Sequence, residues 1–377
     1  MAGIEVPEAP QKVNLLVVPK SGPGRINVLK KENKNLILMA MKSTKTQLPK
    51  EAEEYDKRLK DARVYLAWLD YSTDLSRGDI DISGWKNTVE KLLSTKNSLP
   101  EDIIDRATEL KEKFEQTTVT EDVDQDEDQS ADSGEDDDLA TGSQTVAGTA
   151  MTELALPPAN HPIFGRDGIM HGVITGRGKN NRIVRRLNPL LQRKKTTVYG
   201  HNGIPVGAWF PLQLVALFNG AHGSAMGGIH GDTQLGAYSI VIANTYDDLD
   251  TDDGDMIYYS GSNSHKNTDP KRPAESTNGT QALKASFRTQ NPVRVLRSGG
   301  SSAVAKRSRN SYLPEAGIRY DGLYRVVNMR TPKNRNGGMY EQFRLERLPE
   351  QPTLAEIRET SPTQQQLRDL REIQRGY

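Results

Sequence analysis

Between residues 121 and 138 the chain reads EDVDQDEDQSADSGEDDD, eleven acids spaced by Gln, Ser, Ala, Gly and one Val. A stretch of that composition cannot bury enough apolar surface to offset the entropy of ordering it. Residues 117–160, which run on through small polar residues to LPPANHP, are therefore expected to form an acidic disordered linker. Whatever folds must fold on either side of it, and 377 residues leave room for two compact units.

The net charge of zero conceals a division. Residues 1–160 hold 20 Lys+Arg against 31 Asp+Glu, whereas residues 161–377 hold 30 against 19. A basic half points to a polyanionic partner, and the acidic segment could fold back to screen it; solvated charge is the plainer alternative. Ser130 and Ser133, set among acids, are candidate phosphorylation sites. The absence of cysteine excludes disulfides, thiolate zinc sites, cysteine nucleophiles and RING or PHD fingers on this polypeptide. No apolar run approaches the ~20 residues a membrane span needs, and no signal-peptide pattern opens the chain. The six histidines (161, 171, 201, 222, 230 and 265) have no metal-ligand spacing. No nucleophile elbow, Walker loop or nuclease motif stands in a matching context. The expectation is a non-enzymatic protein without metal or cofactor.

Residues 1–50 mix short apolar runs with Lys, Pro and Gly and read as a poorly defined arm. From 51 to 116 the pattern turns helical. Tyr55, Leu59, Ala62, Leu66 and Leu69 share one helix face, and Trp85, Val89 and Leu92 repeat the spacing. Pro100 in a first turn after Ser98, then Ile103, Ala107, Leu110 and Phe114, define another helix. This module of about three helices resembles the helical docking domain of transcription elongation factors; an ordinary helical bundle gives the same pattern. A protein partner is expected for it.

From His161 the chain is Gly-rich, with short β-type runs (GVITG, YSIVIANTY, MIYYSG, PVRVLR, GLYRVVNM, YEQFRLERL) separated by turn residues. Residues 211–220 read as a helix ending at Gly220. Residues 355–377 are helix-prone, charged and expected to be a peripheral tail. The fold class is α+β, a curved β-barrel with a few helices over residues 161–354. The basic clusters 185–195 and 306–309 suit phosphate contacts, nuclear import or solvated surface.

Six of these segments, GIPVGAWF, GAHGSAMGGIHG, GAYSIVIANTY, DDGDMIYYSGS, PVRVLR and RYDGLYRV, follow one another in the order and spacing of the SRA (SET- and RING-associated, or YDG) domain. The resemblance covers about 140 residues, of a type without RING, PHD or SET units. It implies a PUA-like, crescent-shaped barrel that binds duplex DNA and flips one modified cytosine into a pocket. A flipped base loses its stacking, at a few kcal/mol, and an aromatic sandwich restores ~1–3 kcal/mol per base. Tyr246 and Tyr259 match the two clamping tyrosines; tyrosines on adjacent β-runs are otherwise ordinary core. An acceptor for the cytosine amino group is expected just after the first of them. One extra residue before Gly254 leaves Asp250 as first choice and Asp248 as reserve, within a run of six acids that could also be a solvated turn.

The resemblance further assigns backbone amides of Ala243 and Asn244 to the base carbonyl, and Ser260 and Ser262 to the opposite wall. Met226, in a loop with Gly228 and His230, matches an apolar wedge that fills the vacated stack. Lys271 and Arg272 match a basic finger. Asn244 and Thr245 replace a small Gly-Gly pair, and Pro270 replaces a polar finger residue, so a preference for hemimethylated sites is not implied. Tyr320, Asp321 and Gly322, the triplet that names the family, read as a structural turn into a strand. The function expected is a nuclear reader of modified cytosine in chromatin. Its rivals are a degenerate barrel binding DNA by charge alone and a protein-interaction adaptor.

Overall fold

The computed structural model describes residues 11–14, 16–43, 49–72, 75–94, 98–116, 153–177, 183–243, 249–299 and 310–373. Five helices form the N-terminal module: α1 (Gly22–Lys42), α2 (Pro49–Tyr71), α3 (Arg77–Ser83), α4 (Trp85–Ser94) and α5 (Glu101–Gln116). The predicted inner residues meet as expected, with Leu59, Leu66, Leu69, Trp85, Val89, Leu92, Ile103, Ala107, Leu110 and Phe114 in one core. Ser76 and Asp79 form a reciprocal cap that starts α3.

Helix α1 corrects the reading of residues 1–50 as an arm. Its inner stripe is Arg25, Leu29, Asn33, Leu36, Met39 and Ala40, helical in spacing but polar at two positions, which hid the period. Both polar side chains meet partners where they are buried. Asn33 donates to the Ser83 carbonyl at 3.0 Å and accepts from the Tyr65 hydroxyl at 2.8 Å. Arg25 pairs with Asp79 at 3.2 Å.

Two strands lie at the ends of the module. β1 (Gln11–Asn14) pairs antiparallel with β2 (Glu153–Leu156), with Asn14 opposite Glu153. β2 therefore falls inside the stretch assigned to the linker, where ELAL restores strand-type alternation. Residues 117–152, with Ser130 and Ser133, lie outside the described residues.

The C-terminal body contains the hairpin β3 (Val173–Arg177) and β4 (Ile183–Leu187), followed by β5 (Trp209–Phe210), α6 (Gln213–Phe218), β6 (Ile229–Asp232) and β7 (Gly236–Ile242). Next come β8 (Thr251–Asp252), β9 (Met256–Ser260), α7 (Asn278–Thr289), β10 (Val293–Ser298), β11 (Ile318–Arg330) and β12 (Gln342–Arg347). Eight strands make one sheet, in the order β6-β7-β10-β11-β12-β9-β8, with β5 on β11. Among the described residues only the β7–β10 pair is parallel, and α7 supplies part of the crossover between these strands.

The sheet curls strongly. Neighbouring strands are about 4.8 Å apart, so β7 and β9, four steps apart in the order, would be separated by roughly 19 Å if it were flat. Instead the Tyr259 hydroxyl of β9 reaches the Val241 carbonyl of β7 at 3.2 Å. The barrel is a curved sheet tied across by side chains, and no strand pair joins β6 to β8 among the described residues.

One face packs Ile240, Ile242, Ile257, Val293, Val295, Phe343 and Leu345 against Ala282 and Leu283 of α7. The other gathers Val241, Leu296, Tyr320, Trp209 and Phe210 with Phe164, Met170 and α6. The last helices, α8 (Leu354–Thr360) and α9 (Gln364–Ile373), are not peripheral as expected. Leu367, Leu370 and Ile373 join the same core, a 3-to-4-residue stripe on an otherwise charged helix.

The Tyr320-Asp321-Gly322 triplet lies within β11 rather than in a turn before it. The β10–β11 register shifts there, Val295 facing Gly322 and Leu296 facing Tyr320, so Asp321 is the extra residue of a bulge. Gly322 has φ +112, a value only glycine adopts without strain. The bulge turns Asp321 inward, where it accepts from Arg297 at 2.9 Å and Arg319 at 2.5 Å. All three side chains are buried.

Candidate nucleic-acid interface

The acidic run after β7 divides into groups with different tasks. Asp252 is tied to Arg297 at 2.7 Å and to the Asn310 amide at 2.8 Å. Burial would raise its carboxyl; the Arg297 guanidinium outweighs that and holds it below the ordinary carboxylate range. Asp253 and Asp255 are exposed. Asp250 turns toward β9 and accepts the Ser260 amide at 2.7 Å, while Leu249 is buried with its carbonyl accepting from Gln342 at 2.6 Å. Asp250 is thereby held next to the residue that follows Tyr259.

Tyr259 is 7% exposed. Its hydroxyl donates toward the carbonyls of Val241 (3.2 Å) and Gly228 (3.3 Å), so its ring cannot swing away without losing both partners. Gly228 is bound into the same point, its carbonyl accepting the Val241 amide at 2.8 Å. A Cβ on Gly228 would lie 2.7 Å from the Tyr259 hydroxyl, which is why the backbone there must be bare. Ala243 follows Val241 by two residues on the same chain segment. Tyr259 is thus joined to Gly228 and Val241, and Asp250 to Ser260, across segments well separated in the chain. Ser260 is buried, whereas Ser262 is exposed and its amide donates to the Thr280 hydroxyl. Tyr246, Asn244 and Asp248 lie outside the described residues, as does the basic cluster 306–309.

The loop before β6 presents Met226, 60% exposed. Ser224 Oγ accepts the amides of Met226 (3.2 Å) and Gly227 (2.7 Å), and Gln213 of α6 donates to the carbonyls of Ser224 and Gly227. His222 bridges Ser239 (2.8 Å) and the Gly227 carbonyl (2.8 Å) from below. An exposed apolar side chain on so fixed a loop is available to a partner at little ordering cost.

The Nε2 of His230 lies 3.2 Å from the Thr196 hydroxyl, and its ring packs against Tyr238 and His222. Burial pushes the imidazoles of His222 and His230 down to about 4 and about 3, so both are neutral and structural. Arg294 of β10 holds the same region by donating to the carbonyls of Ala221, Thr196, Val198 and Gly200. Burial lowers it to about 10, which leaves it charged.

Lys271 and Arg272 are exposed on a loop built by asparagines. Asn267 donates to the carbonyls of Arg272 and Met339, both at 2.7 Å, and Asp269 accepts the Lys271 amide at 2.8 Å. Pro270 lies at the exposed tip. Within the basic cluster 185–195, Lys194 and Lys195 are exposed, whereas Arg193 turns to the helical module. Arg193 pairs with Asp70 (3.1 Å) and Glu109 (3.0 Å) of the helical module. Arg106 donates in return to the carbonyls of Pro189 and Leu191. Nothing local in the sequence linked residues so far apart.

Residues 198–351 match the family model described as the SAD/SRA domain. Those residues therefore correspond to an SAD/SRA domain. E3 ubiquitin-protein ligase UHRF1 of Danio rerio is 33% identical over 166 residues, 38% of this chain and 21% of that protein. UHRF2 of Homo sapiens is 35% identical over 146 residues, covering 33% and 18%. The chain thus spans about a fifth of the length of these curated relatives. Among solved structures, a SUVH5 SRA–methylated CHH DNA complex is 28% identical with a TM-score of 0.34, covering 42% of this chain and 98% of that one. The modification-dependent TagI restriction endonuclease is 29% identical with a TM-score of 0.36, covering 42% and 54%.

Proposed function

We propose that this chain reads modified cytosine in duplex DNA by flipping the base, and that it does so in the nucleus as part of chromatin regulation. The observation that carries the reading is that Tyr259 is fixed against Gly228 and Val241 while Asp250 is fixed against the neighbouring Ser260. Tyr259 supplies an immobilised ring as one wall, and Tyr246 supplies the other. Asp250, oriented by the Ser260 amide, accepts from the cytosine amino group. The amides of Ala243 and Asn244 hold the base carbonyl, with Asp248 as the reserve acceptor and Ser260 and Ser262 on the opposite wall. Met226 enters the stack as the base leaves, and Lys271 and Arg272 hold the backbone. The helical module, which begins at α1, recruits a protein partner, and the chain itself contributes no catalysis.

The test compares duplexes carrying C, 5-methyl-C or 5-hydroxymethyl-C at one position, at fixed salt, with 2-aminopurine fluorescence reporting unstacking. Preference for a modified duplex, lost in Tyr246→Ala and Tyr259→Ala, supports the reading. Equal binding of all three duplexes by the wild type, with steep salt dependence, would leave a barrel that binds by charge alone. No binding of any duplex would leave a protein adaptor.

A further inference from the structure

Residues 331–339 of the β11–β12 loop stand beside the basic finger and are bonded to it at several points. Asn334 is buried and donates to the carbonyls of Ser264 (2.7 Å) and Asn267 (2.8 Å). Its own carbonyl oxygen accepts the amides of Asn336 and Gly338, which fixes the loop as a tight turn. Asn336 donates to the His265 carbonyl at 3.0 Å, and the Met339 amide donates to the Asp269 carbonyl at 2.8 Å. The two loops are one rigid platform.

That platform is strongly basic. Residues 263–273 and 331–339 together hold Lys266, Lys271, Arg272, Lys333 and Arg335 against a single acid, Asp269. All five cations are exposed. Lys333 and Arg335 flank the buried Asn334, and both are exposed on a turn that is already ordered. Cations held out on a pre-ordered loop suit a polyphosphate, which takes charge without needing a shaped pocket.

We propose that Lys333 and Arg335 form a second contact to the DNA backbone, acting with Lys271 and Arg272 as one two-loop grip. The proposal rests on the DNA-binding reading above and adds to it a surface outside the base pocket. It assigns this loop to positioning, so it contributes equally whatever base is present.

The experiment measures binding of the full chain to a 5-methyl-C duplex and its unmodified counterpart across a salt series. The proteins are wild type, the double variant Lys333→Ala/Arg335→Ala, and Lys271→Ala/Arg272→Ala as a positive control. We expect Lys333→Ala/Arg335→Ala to weaken binding to both duplexes by the same factor. It should also flatten the slope of log K against log salt by about 1.8, the value for two lost phosphate contacts. Wild-type affinity and slope in this variant, while the finger variant is weakened, would overturn the second contact and leave the reader function standing. A wild-type chain that binds neither duplex would overturn the reader function and this inference together.

Discussion

The Arg193 guanidinium lies 3.1 Å from Asp70 and 3.0 Å from Glu109, bridging two helices of the N-terminal module from a loop of the barrel. Burial raises the Glu109 carboxyl despite this partner, and burial lowers the nearby Lys113 amine, which donates to the Asp70 carbonyl at 2.6 Å. Such a half-buried network is worth more than surface ion pairs because it is less screened.

Replacing Arg193 with Ala should therefore loosen the module from the barrel. We expect a loss of about 1–3 kcal/mol in the unfolding of the full chain. Limited proteolysis between the two parts should quicken while each core persists. An unchanged digestion pattern and midpoint would mean that the contact contributes nothing.

Asp250→Asn keeps an oxygen for the Ser260 amide but places a donor where the proposed reader needs an acceptor. Stability should change by less than about 1 kcal/mol, while affinity for a flipped cytosine, modified or not, falls by about 1–3 kcal/mol. Chemical denaturation and duplex binding separate the two effects. Unchanged duplex affinity would remove Asp250 from the pocket.

Gly228→Ala brings a methyl group to about 2.7 Å from the Tyr259 hydroxyl. Overpacking of this kind costs about 1–3 kcal/mol. Tyr259→Phe deletes the opposing oxygen, so the double variant should be more stable than the sum of the single losses. A double-mutant cycle by urea unfolding reads this directly, and strict additivity would show that the loop relaxes instead.

His222 and His230 make stability depend on pH. Their folded values, about 4 and about 3, lie below the ~6.5 of an unfolded chain. Below pH 6.5 the unfolded state takes up protons that the folded state refuses, so the stability present above that pH declines on acidification toward pH 4. For the fully buried His222 the loss by pH 5 is on the order of 2 kcal/mol. His222→Gln should flatten the difference between urea midpoints at pH 7.5 and pH 5, and an unaltered difference would show that other groups carry it.

Where the sequence was legible, one periodic signal sufficed. The inner faces of α2, α4 and α5 were apolar at helical spacing and packed as read, and the β-type runs from Val173 onward became strands. It was illegible where polar groups occupy core positions, as at Arg25 and Asn33 in α1. In α7 the inner residues Thr280, Ala282, Ala285 and Ser286 are small and carry little apolar signal. Asp252, Asp321 and Arg193 looked like solvated charge or turn chemistry because their partners lie far away in the chain. Tyr259, Asp250 and Met226 were reached through family resemblance; their grouping depends on the curl of the sheet, which no local pattern encodes.

The β1–β2 pairing has a topological consequence. Because Asn14 stands opposite Glu153, everything between them leaves and re-enters the C-terminal body through a single doorway. A two-residue Asn-Gly turn joining those positions would close an ordinary hairpin. The helices and acidic segment are thus an excisable cassette, transplantable into another scaffold, and their removal would uncover Arg193 as a basic scar on the barrel.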